Sequence, residues 1–291
     1  MGSGAPPKPD FGAYFELTKP GITAYVMITA GVSAAVAAAG RPELSTVVHA
    51  AIGTGLATGG ALALNQYAER ETDAIMTRTR HRPLPSGRLG ARQGLALGIV
   101  LLVGGLAYLW ATSGWAPTGL AALSALAYLA VYTPLKRHSY AATLAGAVPG
   151  ALPVLIGWTA ATGSLAAGAF ALFAIAYLWQ LPHVLGLAWM LQEDYRRVGF
   201  KLIPDGGSRE IGTHMVVAAL ALLPVSLTPT LLGITGRWYL GGAAAASLGL
   251  LAVAVTTARD MSEASARKLF LASLVYHPVL LAFMLFDTVR T

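Results

Sequence analysis

The amino-acid sequence predicts an all-α polytopic membrane protein, with nine transmembrane helices in a single bundle and a cavity that faces the cytoplasm. Of its 291 residues, 55% are hydrophobic and only 11% are charged, whereas about a quarter of the residues in a soluble domain are charged. Uncharged apolar runs of roughly 20 residues, enough to cross a bilayer as a helix, recur along almost the whole chain. Lysine and arginine are concentrated in alternate connections between these runs.

The predicted helices are apolar runs bounded by charged or turn-forming segments. The second ends at the stretch NQYAERETDAIMTRTRHRPLPSGR, the fourth at YTPLKRHS and the sixth at QEDYRRVGFKLIPDGG. The third, fifth and seventh contain no internal charge, and Pro149, Pro153 and Pro182 are expected to kink the fifth and sixth. Glycine and alanine inside the runs are typical of helices that pack closely in lipid. The nine helices are expected at about residues 18–39, 46–68, 93–112, 116–133, 140–160, 166–190, 212–234, 237–258 and 268–288.

The N-terminal segment differs from the rest of the chain. Residues 1–15 are predicted to be a flexible arm, and residues 16–291 a single transmembrane domain. The arm lacks the short apolar core and small-residue cleavage site of a signal peptide. The sequence contains no cysteine, which excludes disulfides, thiolate metal sites and cysteine nucleophiles.

The distribution of lysine and arginine predicts the orientation in the membrane. With the N-terminus on the cytoplasmic side, 17 of the 20 lysines and arginines lie on that side, and the exceptions are Arg41, Arg237 and Arg290. The positive-inside rule therefore predicts a multi-pass protein of the cell membrane, with a cytoplasmic N-terminus and the C-terminus on the opposite side. This bias accounts for the net charge of +7 without nucleic acid as a partner.

Carboxylates also cluster on the predicted cytoplasmic side, which topology alone does not require. Eleven of the thirteen acids lie there. Asn65, Glu69 and Asp73 are spaced four residues apart, so on a helix they form one stripe. Their oxygens suit a hard cation such as Mg²⁺, which binds carboxylates and completes its shell with water and substrate phosphate. The alternative is a solvated helix end.

Cationic side chains follow the acidic stripe and favour a phosphate ligand. Arginine forks bind phosphate oxygens in pairs, and a metal site beside them meets the requirements of a diphosphate leaving group. Two further loops on the same side carry a tyrosine with two cations, and a carboxylate with a cation. The arginines after the stripe are Arg78, Arg80, Arg82 and Arg88, and the loop residues are Tyr132, Lys136, Arg137, Asp194, Tyr195 and Lys201.

These motifs resemble a known family. N-x-x-x-[D/E]-x-x-x-D, followed by R-T-x-x-R-P-L, is similar to the UbiA-type intramembrane prenyltransferases. The string DAIMTRTRHRPLPSGRL, with YTPLKR, GALPVLIGW and WQLPHVLGLAWMLQEDYRRVGFKLIP, looks like the branch that farnesylates haem. Two departures concern Glu69, where much of the family has aspartate, and Val198, where many relatives have a second aspartate after Asp194. The haem-farnesylating branch has D-Y-x-x-x-G in that second motif, so the second departure favours it.

The resemblance implies a Mg²⁺-dependent transfer of a farnesyl group from farnesyl diphosphate to a vinyl group of haem B. Asn65, Glu69, Asp73 and Asp194 are then the expected metal ligands and catalytic residues. It further implies haem A synthase or terminal oxidase assembly factors as partners. The expected diphosphate-binding residues are Arg78, Arg82, Tyr132, Lys136, Arg137 and Lys201.

Three histidines are candidates for contact with haem. His183, in WQLPH, is a candidate for binding or orienting haem, and a packed, hydrogen-bonded histidine is the alternative. His81 and His138 lie in basic loops, where they are candidates for contacting a haem propionate or the diphosphate. The other three histidines are expected to be structural or interfacial.

Two other functions are compatible with part of the pattern. Another prenyltransferase of this type, acting on an aromatic acid or a chlorin, would share the stripe and the arginines, but WQLPH and the missing second aspartate favour haem. A transporter or channel would also place charges at a membrane mouth. It would be expected to carry ionisable residues at mid-membrane and an inverted repeat, and the sequence displays neither.

Overall fold

A computed structural model describes residues 11–39 and 41–289, which form twelve α-helices and one π-helical segment. The π-helical segment, Ala127–Tyr132, joins α5 to α6 without a break. The helices are α1 (Phe11–Leu17), α2 (Pro20–Ala37), α3 (Leu44–Ile75), α4 (Ala91–Ser113), α5 (Trp115–Leu126), α6 (Thr133–Leu135), α7 (Ala141–Thr162), α8 (Ala167–Met190), α9 (Gln192–Arg197), α10 (Gly207–Leu231), α11 (Arg237–Asp260) and α12 (Glu263–Phe286).

The prediction of nine membrane helices is confirmed for the described residues. Nine helices there are long and apolar enough to cross a membrane, when α5, the π-helical segment and α6 are taken as one. The chain is therefore a multi-pass membrane protein. Residues 1–10 of the predicted arm lie outside the described residues. Residues 11–17 form α1, whose Ala13 and Leu17 are buried beside Ala63 of α3.

Helix α3 corresponds to the second predicted membrane helix and continues beyond its predicted end. The apolar run ends near residue 68, but α3 continues to Ile75. Glutamine, alanine, glutamate and arginine favour helices in water, so the helix does not have to stop where the membrane stops. As a result, Asn65, Glu69 and Asp73 lie on one continuous helix. Similarly, α10 begins at Gly207, before its predicted start at 212.

Glycine allows α3 and α4 to approach closely. A Cβ atom added to Gly60 of α3 would overlap the backbone of Leu102, and one added to Gly105 of α4 would overlap the backbone of Ala57. Such contacts are typical of membrane helices, where close backbone packing replaces hydrophobic burial as the main source of association. The glycines therefore fix the position of α3, the helix that carries the acidic stripe.

A buried polar network joins α10, α11 and α12. The Ser247 hydroxyl of α11 lies 2.9 Å from the Ser226 hydroxyl and 2.9 Å from the Tyr276 hydroxyl. Tyr239 donates a hydrogen bond of 2.7 Å to the Ser226 carbonyl. All four residues are buried, so this network holds the three helices together within the membrane-spanning region.

Replacing Ser247 by alanine is expected to destabilise the protein by about 1–2 kcal/mol, because the Ser226 and Tyr276 hydroxyls lose their shared partner in an apolar setting. The shift can be measured as the midpoint of unfolding in detergent micelles. Thr256→Ala on the same helix is the control, since the Thr256 hydroxyl is exposed and bonds only within its own turn. Equal stability of the two variants would contradict a role for the network.

The charged segments gather at one end of the bundle. Here α2, α10 and α12 begin, and α3, α6, α8 and α11 end. We call this the charged end. Lys136 after α6 contacts Glu69 of α3, the backbone N–H of Thr77 donates to Asp194, and Trp189 of α8 donates to the carbonyl of Met261. The candidate site lies at this end.

Candidate active site

The oxygen-bearing side chains of α3 line one buried polar cavity. Asn65, Glu69 and Asp73 are 2%, 5% and 0% exposed, and all three face a cavity of about 90 Å³ at the charged end. Their four-residue spacing places them on one face of the helix. The structure thus brings together the three residues of the predicted stripe.

The orientation of the Asn65 amide is fixed by its neighbours. Thr133 donates its only hydroxyl hydrogen to the Tyr128 carbonyl, at 2.8 Å. The Thr133 oxygen therefore accepts the 3.0 Å hydrogen bond from Asn65 Nδ2. Asn65 Oδ1 accepts a 3.2 Å hydrogen bond from the Tyr128 hydroxyl. A carbonyl oxygen has two lone pairs, so Oδ1 retains one for a further ligand.

The two carboxylates of the stripe each pair with a cation from another segment. Lys136 Nζ contacts Glu69 Oε1, and both side chains are only 7% exposed. Arg82 Nη1 lies 2.7 Å from Asp73 Oδ2. Asp73 Oδ1 is buried and has no hydrogen-bond partner among the described residues. Such an oxygen costs free energy unless it is paired.

The donor set fits a hard divalent cation with few protein ligands. No group of three or more histidines, cysteines, aspartates or glutamates with metal-binding geometry occurs in residues 11–39 and 41–289. Two carboxylates and one amide oxygen are available instead, from Glu69, Asp73 and Asn65. Mg²⁺ is commonly bound by one or two carboxylates, with water and phosphate oxygens completing its shell. The unpartnered Asp73 oxygen is the atom that such an ion would satisfy.

Four cationic side chains line the same cavity. Arg78, Arg82 and Lys136 were predicted from the sequence, and the structure adds Lys19. Lys19 lies just before α2 and keeps part of its surface accessible. Burial lowers the pKa of Lys19 to about 7, and the nearby Arg82 guanidinium also lowers it. An anion in the cavity would raise that pKa, since it favours the charged ammonium.

Three of the residues predicted to bind the metal or the diphosphate lie outside the described lining of the polar cavity. Asp194 accepts hydrogen bonds of 3.2 Å from the backbone N–H groups of Thr77 and Arg78. Burial alone raises the pKa of Asp194, but these N–H groups outweigh it, and the net pKa lies below the ordinary value.

The other two residues, Arg137 and Lys201, contact neighbouring segments. Arg137 donates to the Thr72 hydroxyl at 2.7 Å. Lys201 is exposed, and its backbone N–H donates to the Lys136 carbonyl.

The predicted histidines occupy different environments. His81 and His138 are exposed at the charged end, and His81 Nε2 accepts a 3.2 Å hydrogen bond from Arg80. His183 is half-buried within α8, where its Nδ1 atom lies 2.9 Å from the Ser273 hydroxyl. None of the three lines the polar cavity in the described part of the chain.

An apolar cavity of about 300 Å³ adjoins the polar one. Within the described residues, Tyr128 and Tyr132 are the only side chains that line both cavities. Their rings are stacked, with centroids 5.5 Å apart and planes at 16°. Both belong to the π-helical segment, a feature that often marks functional positions. The apolar cavity is lined by α2, α3, α5, α7 and α8, including Ile22, Val26, Thr54, Ala57, Ala121, Pro153, Ile156, Gln180 and Val184.

Sequence reasoning missed Lys19 and Tyr128. Lys19 was counted only toward membrane topology, and its sole further signal is the proline that follows it. Tyr128 sits in an apolar run with no motif around it. Its position depends on the π-helical segment, which no pattern in the sequence predicted.

Comparison with known sequences is consistent with this geometry. The model of the UbiA prenyltransferase family matches residues 26–277. A protoheme IX farnesyltransferase of Solibacter usitatus (strain Ellin6076) is 41% identical over 288 residues, which covers 94% of this chain and 98% of that protein. A protoheme IX farnesyltransferase of Koribacter versatilis (strain Ellin345) is 39% identical, with coverages of 94% and 92%.

Solved structures share the fold. A structure of a digeranylgeranylglyceryl phosphate synthase in membranes matches with a TM-score of 0.80 at 16% identity, covering 96% of this chain and 99% of that one. A UbiA homolog from Archaeoglobus fulgidus bound to GPP and Mg²⁺ matches with a TM-score of 0.63 at 14% identity, with coverages of 94% and 99%. At these identities the similarity concerns the fold alone, and it confirms the predicted helical membrane architecture.

Proposed function

The chain belongs to the UbiA prenyltransferase family, and we propose that it transfers a farnesyl group from farnesyl diphosphate to a vinyl group of haem B, giving haem O. The observation that carries this proposal is the junction of two cavities at Tyr128 and Tyr132. One cavity is lined by cations and carboxylates, and the other by apolar side chains. Such a pair suits a substrate with a diphosphate head and a hydrocarbon tail. The choice of haem and farnesyl rests on relatives named protoheme IX farnesyltransferase.

The polar cavity would hold the diphosphate. Arg78, Arg82, Lys136 and Lys19 would face its oxygens, and fixed cations of this kind stabilise the charge that develops on a leaving group. Asn65, Glu69 and Asp73 would hold Mg²⁺, which when bound neutralises diphosphate charge and orients the group for departure.

The reaction breaks the C1–oxygen bond of the diphosphate ester and one O–H bond of water, and it forms a carbon–carbon and a carbon–oxygen bond. The C1–oxygen bond of farnesyl diphosphate breaks, and the bonding electrons leave with the diphosphate, which leaves an allylic cation. The terminal vinyl carbon of haem B supplies an electron pair and forms the new carbon–carbon bond. Water adds to the resulting cation and releases a proton, so the products are haem O, diphosphate and H⁺. No covalent bond to the protein is required.

The tyrosine pair lies beside the position where the allylic cation would form. The faces of aromatic rings attract cations, and Tyr128 and Tyr132 line both the polar cavity and the apolar cavity. The farnesyl tail would fill the apolar cavity and exclude water from the cation until the acceptor attacks. Asp194 would contribute indirectly, because it holds the backbone of Thr77 and Arg78 in place. Arg137 and Lys201, next to Thr72 and to the Lys136 backbone, would add positive charge near the polar cavity.

The same proposal includes an orientation in the membrane. The charged end would face the cytoplasm, because the sequence predicts 17 of the 20 lysines and arginines on the cytoplasmic side and cytoplasmic loops retain such residues. In this orientation the polar cavity would be accessible to a soluble isoprenyl diphosphate from the cytoplasm. The product would then pass to haem A synthase or to terminal oxidase assembly.

The proposal is tested by incubating the purified protein with farnesyl diphosphate, Mg²⁺ and haem B. Mass spectrometry is expected to detect haem O, and omission of Mg²⁺ or addition of a chelator is expected to abolish its formation. Parallel reactions replace haem B with an aromatic acid, a quinone precursor or a chlorin. Prenylation of one of these acceptors without any haem O would assign the protein to a different branch of the family.

A further inference from the structure

A histidine of α8 packs against two aromatic rings beside the apolar cavity. The His183 ring stacks on Trp179, with centroids 5.4 Å apart and planes at 26°. It also stacks on Phe270 of α12, with centroids 4.6 Å apart and planes at 27°. Trp179 is itself fixed, because its indole N–H donates to the Ser273 carbonyl. These two aromatic contacts restrict the orientation of the imidazole ring.

The hydrogen bonds of Ser273 favour a proton on Nδ1 of His183. Ser273 donates its only hydroxyl hydrogen to the Phe270 carbonyl, at 2.7 Å. With that donation made, the Ser273 oxygen accepts at the 2.9 Å contact with His183 Nδ1. In this arrangement Nδ1 carries the hydrogen, and Nε2 of the neutral ring has a free lone pair. Nε2 has no hydrogen-bond partner among the residues that the structure describes, and His183 is only half-buried.

This arrangement is the one used by histidines that bind metals. A ligating imidazole normally donates its other N–H to a fixed acceptor, which sets the tautomer and the ring orientation. Ser273 supplies that acceptor from α12, while Trp179 and Phe270 restrict rotation of the ring. His277 provides a contrast, because it is 2% exposed and its Nδ1 contacts the Tyr25 hydroxyl, so an external ligand does not reach it.

His183 also lies next to the apolar cavity, which is proposed to hold the prenyl chain. Gln180 and Val184, its neighbours on α8, line the apolar cavity. A flat acceptor held at His183 would therefore lie beside this cavity.

We propose that Nε2 of His183 ligates the iron of the haem substrate, and that Ser273 is a positioning residue that fixes the tautomer required for ligation. The inference rests on the proposed function for the identity of the acceptor. Axial ligation would fix the position of the porphyrin above the edge of the imidazole. It would thereby determine which vinyl group approaches the apolar cavity.

The test measures haem ligation directly. Ferric haem B is titrated into the purified protein and followed by absorption and electron paramagnetic resonance spectroscopy, with binding expected to give a histidine-ligated spectrum. His183→Gly is expected to lose that spectrum, and added imidazole, which fits the space left by the side chain, is expected to restore it. Ser273→Ala is expected to keep the spectrum at saturation but to weaken haem binding roughly 10–100-fold.

The matched control is His49→Gln. His49 is also half-buried with Nδ1 2.7 Å from a tyrosine hydroxyl, but it lies near the start of α3, at the other end of the bundle. This variant is expected to bind haem like the unsubstituted protein. Formation of haem O by the unsubstituted protein, together with an unchanged haem spectrum in His183→Gly, would overturn the ligation proposal alone. Failure of the proposed function is recognised separately, by the absence of haem O in the unsubstituted protein.

Discussion

Replacing Asp73 by asparagine is expected to reduce farnesyl transfer by at least about 10³-fold while the protein remains folded. The carboxylate is fully buried, one oxygen pairs with Arg82, and the other has no partner in the described part of the chain. Asparagine keeps the shape of the side chain but removes the charge that a divalent cation requires. The measurement is kcat/KM for haem O formation over a series of Mg²⁺ concentrations, with folding checked by size-exclusion chromatography.

Glu71→Gln is the matched control for this substitution. Glu71 lies on the same helix only two residues away, but its side chain is 86% exposed and pairs with Arg70. Loss of its charge is therefore expected to leave activity unchanged. Near-normal activity in Asp73→Asn would contradict the metal role of the stripe. An equal loss in both variants would mean that the charge of the helix end, rather than the cavity, is responsible.

The stripe on α3 was predictable because helix geometry relates spacing to position. A four-residue repeat places side chains on one face whatever the tertiary fold, and Asn65, Glu69 and Asp73 do line one cavity. The nine spans were predictable for a similar reason, since the bilayer fixes their length. Helix ends were less accurate, because α3 continues past the apolar run on residues that favour helix in water.

Residues brought together from distant segments were harder to identify. Lys19 reaches the polar cavity because α2 begins beside the end of α3, and Tyr128 reaches Asn65 through the π-helical segment. Neither arrangement follows from local spacing. The second acidic motif shows the same limit. Its chemistry predicts a metal ligand, but local spacing does not show that Asp194 accepts backbone hydrogen bonds from Thr77 and Arg78 outside the cavity lining.

Ser273 illustrates the same limit for the proposed haem contact at His183. His183 was a candidate because of its motif, but the motif does not distinguish a packed histidine from a ligand. The distinction depends on a hydroxyl that is 90 residues away in the chain and on the hydrogen bond which that hydroxyl already donates. Only the assembled helices provide this information.

Replacing Lys136 by methionine is expected to lower kcat/KM by about 10²–10³-fold and to destabilise the protein by about 3–5 kcal/mol. Methionine retains much of the side-chain length but removes the charge. The loss of stability arises because Glu69, only 7% exposed, is left without its partner, and the loss of activity because a cation is removed from the diphosphate cavity. Stability is measured by unfolding in detergent, and activity by haem O formation.

The double variant Glu69→Gln with Lys136→Met separates these two effects. Removing both charges leaves no unpaired ion in the low-dielectric interior, so most of the stability should return. Activity should not return, because in our proposal the Glu69 carboxylate holds Mg²⁺ and the Lys136 ammonium faces the diphosphate. Lys268→Met, at an exposed position of α12, is the charge control and should resemble the unsubstituted protein. Recovery of activity together with stability would mean that the Glu69–Lys136 pair serves only to hold α3 against α6.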